Sequence, residues 1–436
     1  MSRKCEATVL TNWIHWLSAL HPEQLLAFLI ALLLTDTPRY ALSKIALCSW
    51  DCGRSLWRWL AGVPRQPSFS YCPSVCVVVA GYNEEETIAA TLTSLWGTYP
   101  RLEIVVVDDG STDRMEAEAR RFARSHDGVL VLRRPERGGK SSAMNWGLSY
   151  TRAEVIVVVD SDSDLGPSAL WELVQPMQDP RVGAVSGAVV ARNPFVGLAT
   201  WLQAYEYLST IFVGRMLSAW VGILGIVSGA FGAFRRSALE RVNGWDVGPP
   251  EDLDLTLTLR KCGYRIAFAP YSQCFTELPP TWWGLIKQRL RWERSGVIRN
   301  HCRKHLDMAF FWRPQFRFSN LLVVLEAWFF NVFCMYAIWL WCACFVFDLP
   351  SDWWQILLTL YLCYLVFELI QVAADLVYSN APSRDVLISM VFFLVPFYQM
   401  VLLAVRLVAT TEEIFLRKSY QDNYVPARVR EATWRW

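Results

Sequence analysis

Asp160-Ser-Asp162-Ser-Asp164 follows the apolar run Val155 to Val159. Carboxylates two residues apart at the end of a buried strand can converge on one hard divalent cation, Mg2+ or Mn2+, and through it on a diphosphate. A cation held by Asp160 and Asp162 would act as a Lewis acid and neutralise charge on a departing group. A calcium loop is the rival reading, but the closing Glu and turn Gly of an EF-hand are missing.

Two further acidic turns end apolar runs. Ala80-Gly-Tyr82-Asn-Glu84-Glu85 follows Val75 to Ala80, and Asp108-Asp109-Gly110 closes Glu103 to Asp108. Gly110 permits a tight turn, and both Asp side chains lie where the base and ribose of a nucleotide could be hydrogen-bonded. Asp-Asp-Gly alone is ordinary turn chemistry. Two acidic turns after neighbouring buried strands are harder to assign to turns alone.

Gly138-Gly139-Lys140 lacks the spacing of a Walker loop, so Lys140 has two readings, contacting a phosphate or holding the fold. Pro250-Glu251-Asp252 opens a helical pattern. Asp252 can cap that helix, or serve as the base that takes a proton from an attacking hydroxyl. Gln288, Arg291 and Trp292 share little more than one helical turn. Arg meets a diphosphate bidentately and Trp offers a flat face to a sugar ring, although a basic amphipathic helix on lipid headgroups has the same composition.

The elements that must position these residues alternate between strand and helix from Pro73 to about Pro280. Strand signals recur at Val75–Ala80, Glu103–Asp108, Val129–Arg133 and Val155–Val159, with helical patterns at Glu84–Leu95 and Arg114–Ser125. This alternation predicts an α/β fold with a mainly parallel sheet covered on both faces, whose ligands bind at the carboxyl ends of the strands.

Composition places this unit among apolar flanks. The 436 residues are 53% hydrophobic, with 22 Trp and 23 Phe, yet the central region is charged and Gly-rich. Asn320–Phe347, Trp353–Ala374 and Val386–Thr411 each exceed the ~20 residues of a spanning helix and carry only Glu326, Glu368 and Arg406 as charges. Those isolated charges must face protein or water. Gln24–Leu34 and Tyr40–Trp50 predict one or two N-terminal passes when extended. Pro194–Val221 reads as an interfacial or buried core helix, and Thr281–Asn300 fits an interfacial one.

The formal net charge of +2 gives no reason to expect nucleic acid as a partner. The basic run Lys287 to Arg317 reads as a positive-inside flank, which places the α/β unit in the cytoplasm. Three passes would then put the tail outside, where Arg417, Lys418, Arg428, Arg430 and Arg435 conflict with the same rule. The 12 Cys residues, Cys72 and Cys76 included, close no metal site by spacing and read as free thiols, and Met1 to Glu23 lacks a secretory signal. The expected organisation is an N-terminal membrane region over 1–72, the α/β unit over 73–280, an interfacial region over 281–318, membrane helices over 319–411 and a tail over 412–436.

Together, Asp108-Asp109-Gly110, Asp160-Ser-Asp162, Glu251-Asp252 and Gln288-x-x-Arg291-Trp292 resemble, in that order, the motifs of the processive family 2 glycosyltransferases of the poly-N-acetylglucosamine, hyaluronan, chitin-oligosaccharide and cellulose synthase type. The resemblance covers roughly Pro73 to Asn300 and continues into the trailing apolar helices. It implies a GT-A fold and an inverting, metal-dependent hexosyltransferase. Tyr82, Glu84, Asp108, Asp109, Lys140 and Asp160 would bind the donor, and Asp160 and Asp162 the metal. Asp252 would be the base beside Glu251, with Gln288, Arg291 and Trp292 around acceptor and diphosphate.

The same resemblance implies a nucleotide-sugar donor such as UDP-GlcNAc, a growing exopolysaccharide acceptor and a multi-pass place in the inner membrane. Membrane lipid and small membrane or export subunits would be its partners. Val227 to Arg236 is similar to the family's acceptor-side segment. Pro250 departs from the Thr or Gly that commonly precedes Glu-Asp, which bears on the sugar more than on the mechanism. The tail after Thr411 reads as too short for a PilZ-like domain, so none is expected. Two other functions are compatible with the motifs: transfer of one sugar to a polyprenyl phosphate, and a non-catalytic subunit of an export complex.

Overall fold

The computed structural model describes residues 11–16, 18–21, 36–61, 69–246, 250–347, 349–421, 426, 427, 429 and 431. Its centre is an eight-stranded sheet in the order β3-β2-β1-β4-β7-β6-β8-β5. The strands are β1 (Val75–Gly81), β2 (Leu102–Asp108), β3 (Val129–Arg133), β4 (Val155–Asp160), β5 (Asp164–Leu165), β6 (Val182–Ala191), β7 (Phe231–Arg235) and β8 (Arg265–Thr276). Alternate residues of β1 point to opposite faces. Cys76 and Val78 enter one buried cluster, and Val75, Val77 and Val79 the other. Each fully buried Val contributes about 1.5–3 kcal/mol of transfer free energy, so the β-branched runs hold the centre of the sheet.

Register explains why the acidic turns meet. β1 pairs in parallel with β2 and with β4, matching Gly81 to Asp108 and Ala80 to Asp160. Three strands therefore end level and deliver their loops to one edge. The expectation of a mainly parallel sheet holds for β3-β2-β1-β4 and for the β6–β8 pair, while β7 is antiparallel to both β4 and β6, and β5 is antiparallel to β8, which makes the sheet mixed. Phe231–Phe234 is buried throughout, as parallel strands are, and side-chain burial carries no record of strand direction.

Among the described residues, three helical segments are long and apolar enough to cross a membrane: Phe318–Phe347, Trp353–Val377 and Pro382–Leu416. The charges expected to need partners have them. Glu326 meets Arg39 at 2.7 Å, Glu368 accepts the Tyr205 hydroxyl at 2.6 Å, and Arg406 meets Glu293 at 3.1 Å. The run Gln24–Leu34 lies outside the described residues. Tyr40–Leu60 belongs to one helix, Asp36–Leu60, that is not among the three candidates. It carries Lys44 into an ion pair with Asp375 at 2.7 Å, both side chains fully buried. Pro194–Val221 forms Leu198–Glu206, a π-helical stretch Tyr207–Gly214 and Arg215–Val221, with the first two largely buried.

The third apolar segment is tied down at both ends. At its start Trp201 Nε1 donates to Ile388 O at 2.8 Å and Arg384 donates to Ala191 O. At its end Arg294 Nε donates to Glu412 at 3.0 Å and Arg303 pairs with Glu413 at 3.2 Å. Both ends thus touch the α/β unit or the helix that follows it. Beyond Leu416 the chain packs back against the helical region that follows the α/β unit, with Arg299 lying over the Tyr420 ring at 4.9 Å.

Candidate active site

The turns after β1 and β2 are locked together. Asn83, held at φ 59°, accepts the Thr112 N–H on its side-chain oxygen at 2.8 Å, and its own N–H donates to Ser111 Oγ at 2.9 Å. Gly110 has φ +80°, and a Cβ there would stand 2.8 Å from Arg137 N, so the tight turn requires glycine. Asp108 is fully buried beneath these turns and accepts the Ser111 N–H at 2.8 Å. Asp109 accepts the N–H groups of Gly138 at 2.8 Å and Gly139 at 2.7 Å. It thereby fixes the loop that launches the Lys140–Leu148 helix.

A cavity of about 760 Å³ opens over this edge. Of the twelve proposed site residues all but Asp108 line it, namely Tyr82, Glu84, Asp109, Lys140, Asp160, Asp162, Glu251, Asp252, Gln288, Arg291 and Trp292. Lys140 Nζ lies 2.5 Å from Asp160 Oδ1, 2.9 Å from Gly229 O and 3.6 Å from Glu251 Oε1. Burial disfavours the ammonium, yet the Asp160, Glu251 and Asp252 carboxylates hold its pKa above the ordinary value. Burial raises the Asp162 carboxyl, and the neighbouring Asp160 charge raises it further. Glu84 is likewise raised by burial and by the surrounding carboxylates, against a 3.0 Å hydrogen bond from Thr87.

Asp252 stands in the first turn of the Glu251–Lys261 helix. It is not acting as the N-cap, which is Pro250. Its Oδ2 accepts the Gly229 N–H at 3.0 Å, and its Oδ1 accepts its own chain at Leu253 N at 2.7 Å. Burial and the adjacent Glu251 charge push its pKa up to about 6, opposed by Lys140 and these two N–H groups. Gln288 Oε1 is buried and has no hydrogen-bond partner among the described residues.

Asp160 and Asp162 offer hard oxygen ligands, and Asp162 is raised first by burial and then by the Asp160 charge, with Lys140 opposing the shift. A divalent cation fits that donor set. Among the described residues no third His, Cys, Asp or Glu completes a ligand group, so remaining positions would fall to water or phosphate oxygens.

Several lining residues were not legible as site residues. Arg215 and Glu277 reach the cavity from a helix read only as apolar and from the segment beyond β8. Arg137 lies over the Tyr82 ring at 4.1 Å. Pro426 and Val429 of the tail stand beside Gly139, where a Cβ would meet Val429 at 3.6 Å and Pro426 at 3.7 Å. No local motif marks any of them. A second cavity of about 730 Å³ lies behind the Asp252 helix, lined by Asp246, Asp254, Lys304 and His305 among others. Its charges answer one another, with Lys304 2.7 Å from Asp246 and 2.9 Å from Asp254, and His305 2.7 Å from Asp254.

Residues 76–242 match the family described as glycosyl transferase family 2. The chain is 32% identical over 225 residues to the poly-beta-1,6-N-acetyl-D-glucosamine synthase of Staphylococcus epidermidis, covering 51% of this chain and 54% of that one. It is 31% identical over the same shares to the synthase of the same name from Staphylococcus aureus strain COL. It thus spans about half the length of the curated relatives it matches. Among solved structures, the mannosyltransferase PcManGT from Pyrobaculum calidifontis in complex with GDP-Man and Mn2+ superposes with a TM-score of 0.56 at 23% identity, covering 86% of this chain and 99% of that one. At that identity the likeness concerns the fold, which is of the GT-A type, with its mixed sheet and flanking helices.

Proposed function

We propose, from the premise that residues 76–242 form a glycosyl transferase family 2 domain, that the chain is a membrane-embedded inverting glycosyltransferase. On this reading it polymerises sugars from a nucleotide-sugar donor, a UDP-sugar such as UDP-GlcNAc, and passes the exopolysaccharide across the membrane. One observation carries the reading. The carboxylate cluster and the Gln288-Arg291-Trp292 face line a single cavity, and the helix bearing that face packs along the last apolar segment through Arg406–Glu293 and Arg294–Glu412.

Asp109 and the loop it fixes shape the nucleotide end, with Tyr82 and Glu84 beside it. Asp160 and Asp162 would hold Mg2+ or Mn2+, which when bound supplies charge neutralisation on the donor diphosphate. Lys140 and Arg291 bring fixed positive charge to the same end. Asp252 takes the proton of the acceptor hydroxyl as its oxygen bonds to the anomeric carbon. The bond from that carbon to the diphosphate breaks, and the nucleoside diphosphate leaves with the electron pair, which inverts the centre. Glu251 pairs with Lys140 and raises the basicity of Asp252. Trp292 presents a ring face to the acceptor sugar.

The test is turnover by the purified full chain with a panel of UDP- and GDP-sugars and Mg2+ or Mn2+, followed by product sizing. Long polymer supports the reading. A single addition removes processivity, a product extracted into organic solvent points to a lipid phosphate acceptor, and silence with every donor overturns catalysis.

A further inference from the structure

Arg289 occupies a position inside Gln288-x-x-Arg291-Trp292 that the motif leaves open. Its side chain is 9% exposed. The guanidinium lies 4.5 Å from the centroid of the Trp292 ring and donates through Nη2 to Glu206 Oε2 at 2.8 Å. That same Glu206 oxygen accepts the Tyr398 hydroxyl at 2.6 Å. Three elements meet at this point: the Trp282–Glu293 helix, the end of Leu198–Glu206 where the π-helical stretch begins, and the first turn of Val395–Leu416. Trp282 adds a ring contact to Tyr398 at 6.4 Å between centroids.

A buried guanidinium between a carboxylate and an aromatic ring has its plane set by the carboxylate and lends that orientation to the ring. We infer that Arg289, braced by Glu206 and Tyr398, is a positioning residue that holds the Trp292 ring at the acceptor end of the cavity. The acceptor platform is thereby anchored to the last apolar helix as well as to the Leu198–Glu206 helix of the α/β unit. None of these contacts involves a donor-site carboxylate, so acceptor binding is separable from donor chemistry by mutation. This deepens the proposed glycosyl transfer and rests on it.

The experiment uses the full chain in detergent or proteoliposomes, with Arg289→Gln, Arg289→Lys and Glu206→Gln. Donor hydrolysis without acceptor and transfer to a soluble oligosaccharide are measured separately. Arg289→Gln is expected to raise the acceptor KM about tenfold while donor hydrolysis stays within about twofold, and Arg289→Lys to recover most of the loss. Unchanged acceptor KM overturns the inference. Parallel loss of both activities and of folded yield in Arg289→Gln and Glu206→Gln also overturns it, as a purely structural role.

A second readout does not need turnover. With 5-fluorotryptophan incorporated, the 19F resonance assigned by Trp292→Phe should shift in Arg289→Gln and Glu206→Gln and return toward wild type in Arg289→Lys. No movement of that resonance overturns the positioning role. Silence with every donor alongside a shifted resonance would overturn the proposed function and leave the geometry standing.

Discussion

Asp252 Oδ2 accepts the Gly229 N–H at 3.0 Å, and a Cβ added at residue 229 would stand 3.0 Å from that same oxygen. The base candidate and the loop before β7 are therefore closely fitted to one another, and a methyl group at residue 229 would press on the carboxylate. Asp252→Asn keeps the shape and removes the proton acceptor. It should lower transfer by roughly 10²–10⁴-fold while leaving donor binding, measured calorimetrically, nearly unchanged. Gly229→Ala should displace the carboxylate and lower kcat by about tenfold with the fold intact by thermal melting.

The pH dependence follows from the same group. Its pKa is pushed up to about 6, so the base is ionised above that value and protonated below it. The acid limb of kcat/KM should fall near pH 6 in the free enzyme. Lys140 lowers this pKa, so Lys140→Met should move the limb to higher pH and reduce kcat/KM by on the order of 10²-fold. For stability the sign is opposite to that of a paired carboxylate. A raised native pKa disfavours the folded state above about 6, and that penalty fades as pH falls toward the ordinary 3.8. Asp252→Asn should therefore melt higher than wild type at pH 8, with the difference shrinking in acid.

Chelation tests the carboxylate pair. Removal of divalent cations with EDTA should abolish turnover, and Mn2+ or Mg2+ should restore it. Asp162→Asn should raise the cation concentration needed for half-maximal activity by at least about tenfold, because one of two protein carboxylates is lost. Full activity in EDTA would remove Asp160 and Asp162 from a metal role.

The side chains of the apolar region predict a topology. Trp13 and Trp16 donate to Thr359 at 3.1 Å and Asp352 at 2.6 Å, at the start of the Trp353–Val377 helix. Lys44 meets Asp375 near its other end, and a helix of 25 residues is about 37 Å long. Cysteines placed at Ser18 and Ser351 in a cysteine-free background should label from one membrane face with an impermeant maleimide. Cysteines at Asp127 and Arg417 should label from the other. Labelling of residue 417 from the same side as residue 351 would refute the return of the tail.

What was legible in the sequence was what short-range chemistry writes. The β-branched runs with acidic turns marked the strand ends, because a parallel sheet places ligand groups where its loops emerge. Eleven of the twelve proposed site residues line one cavity, Asp108 lying beneath it. Apolar length marked Asn320–Phe347, Trp353–Ala374 and Val386–Thr411, which fall within the helical segments Phe318–Phe347, Trp353–Val377 and Pro382–Leu416, since lipid demands ~20 apolar residues per crossing.

Only the tertiary structure decided which groups answer one another at long range. The antiparallel insertion of β7, the return of the tail to Gly139 and the reach of Arg215 into the cavity leave no local signature. Nor does Arg289, whose meaning depends on Glu206 and Tyr398, 83 and 192 positions apart from their partners in the Arg289–Glu206 and Tyr398–Glu206 contacts. Periodicity reports which face of an element is buried. What lies against that face is set by packing and by the need to pair buried charge, and those terms exist only once the chain has folded.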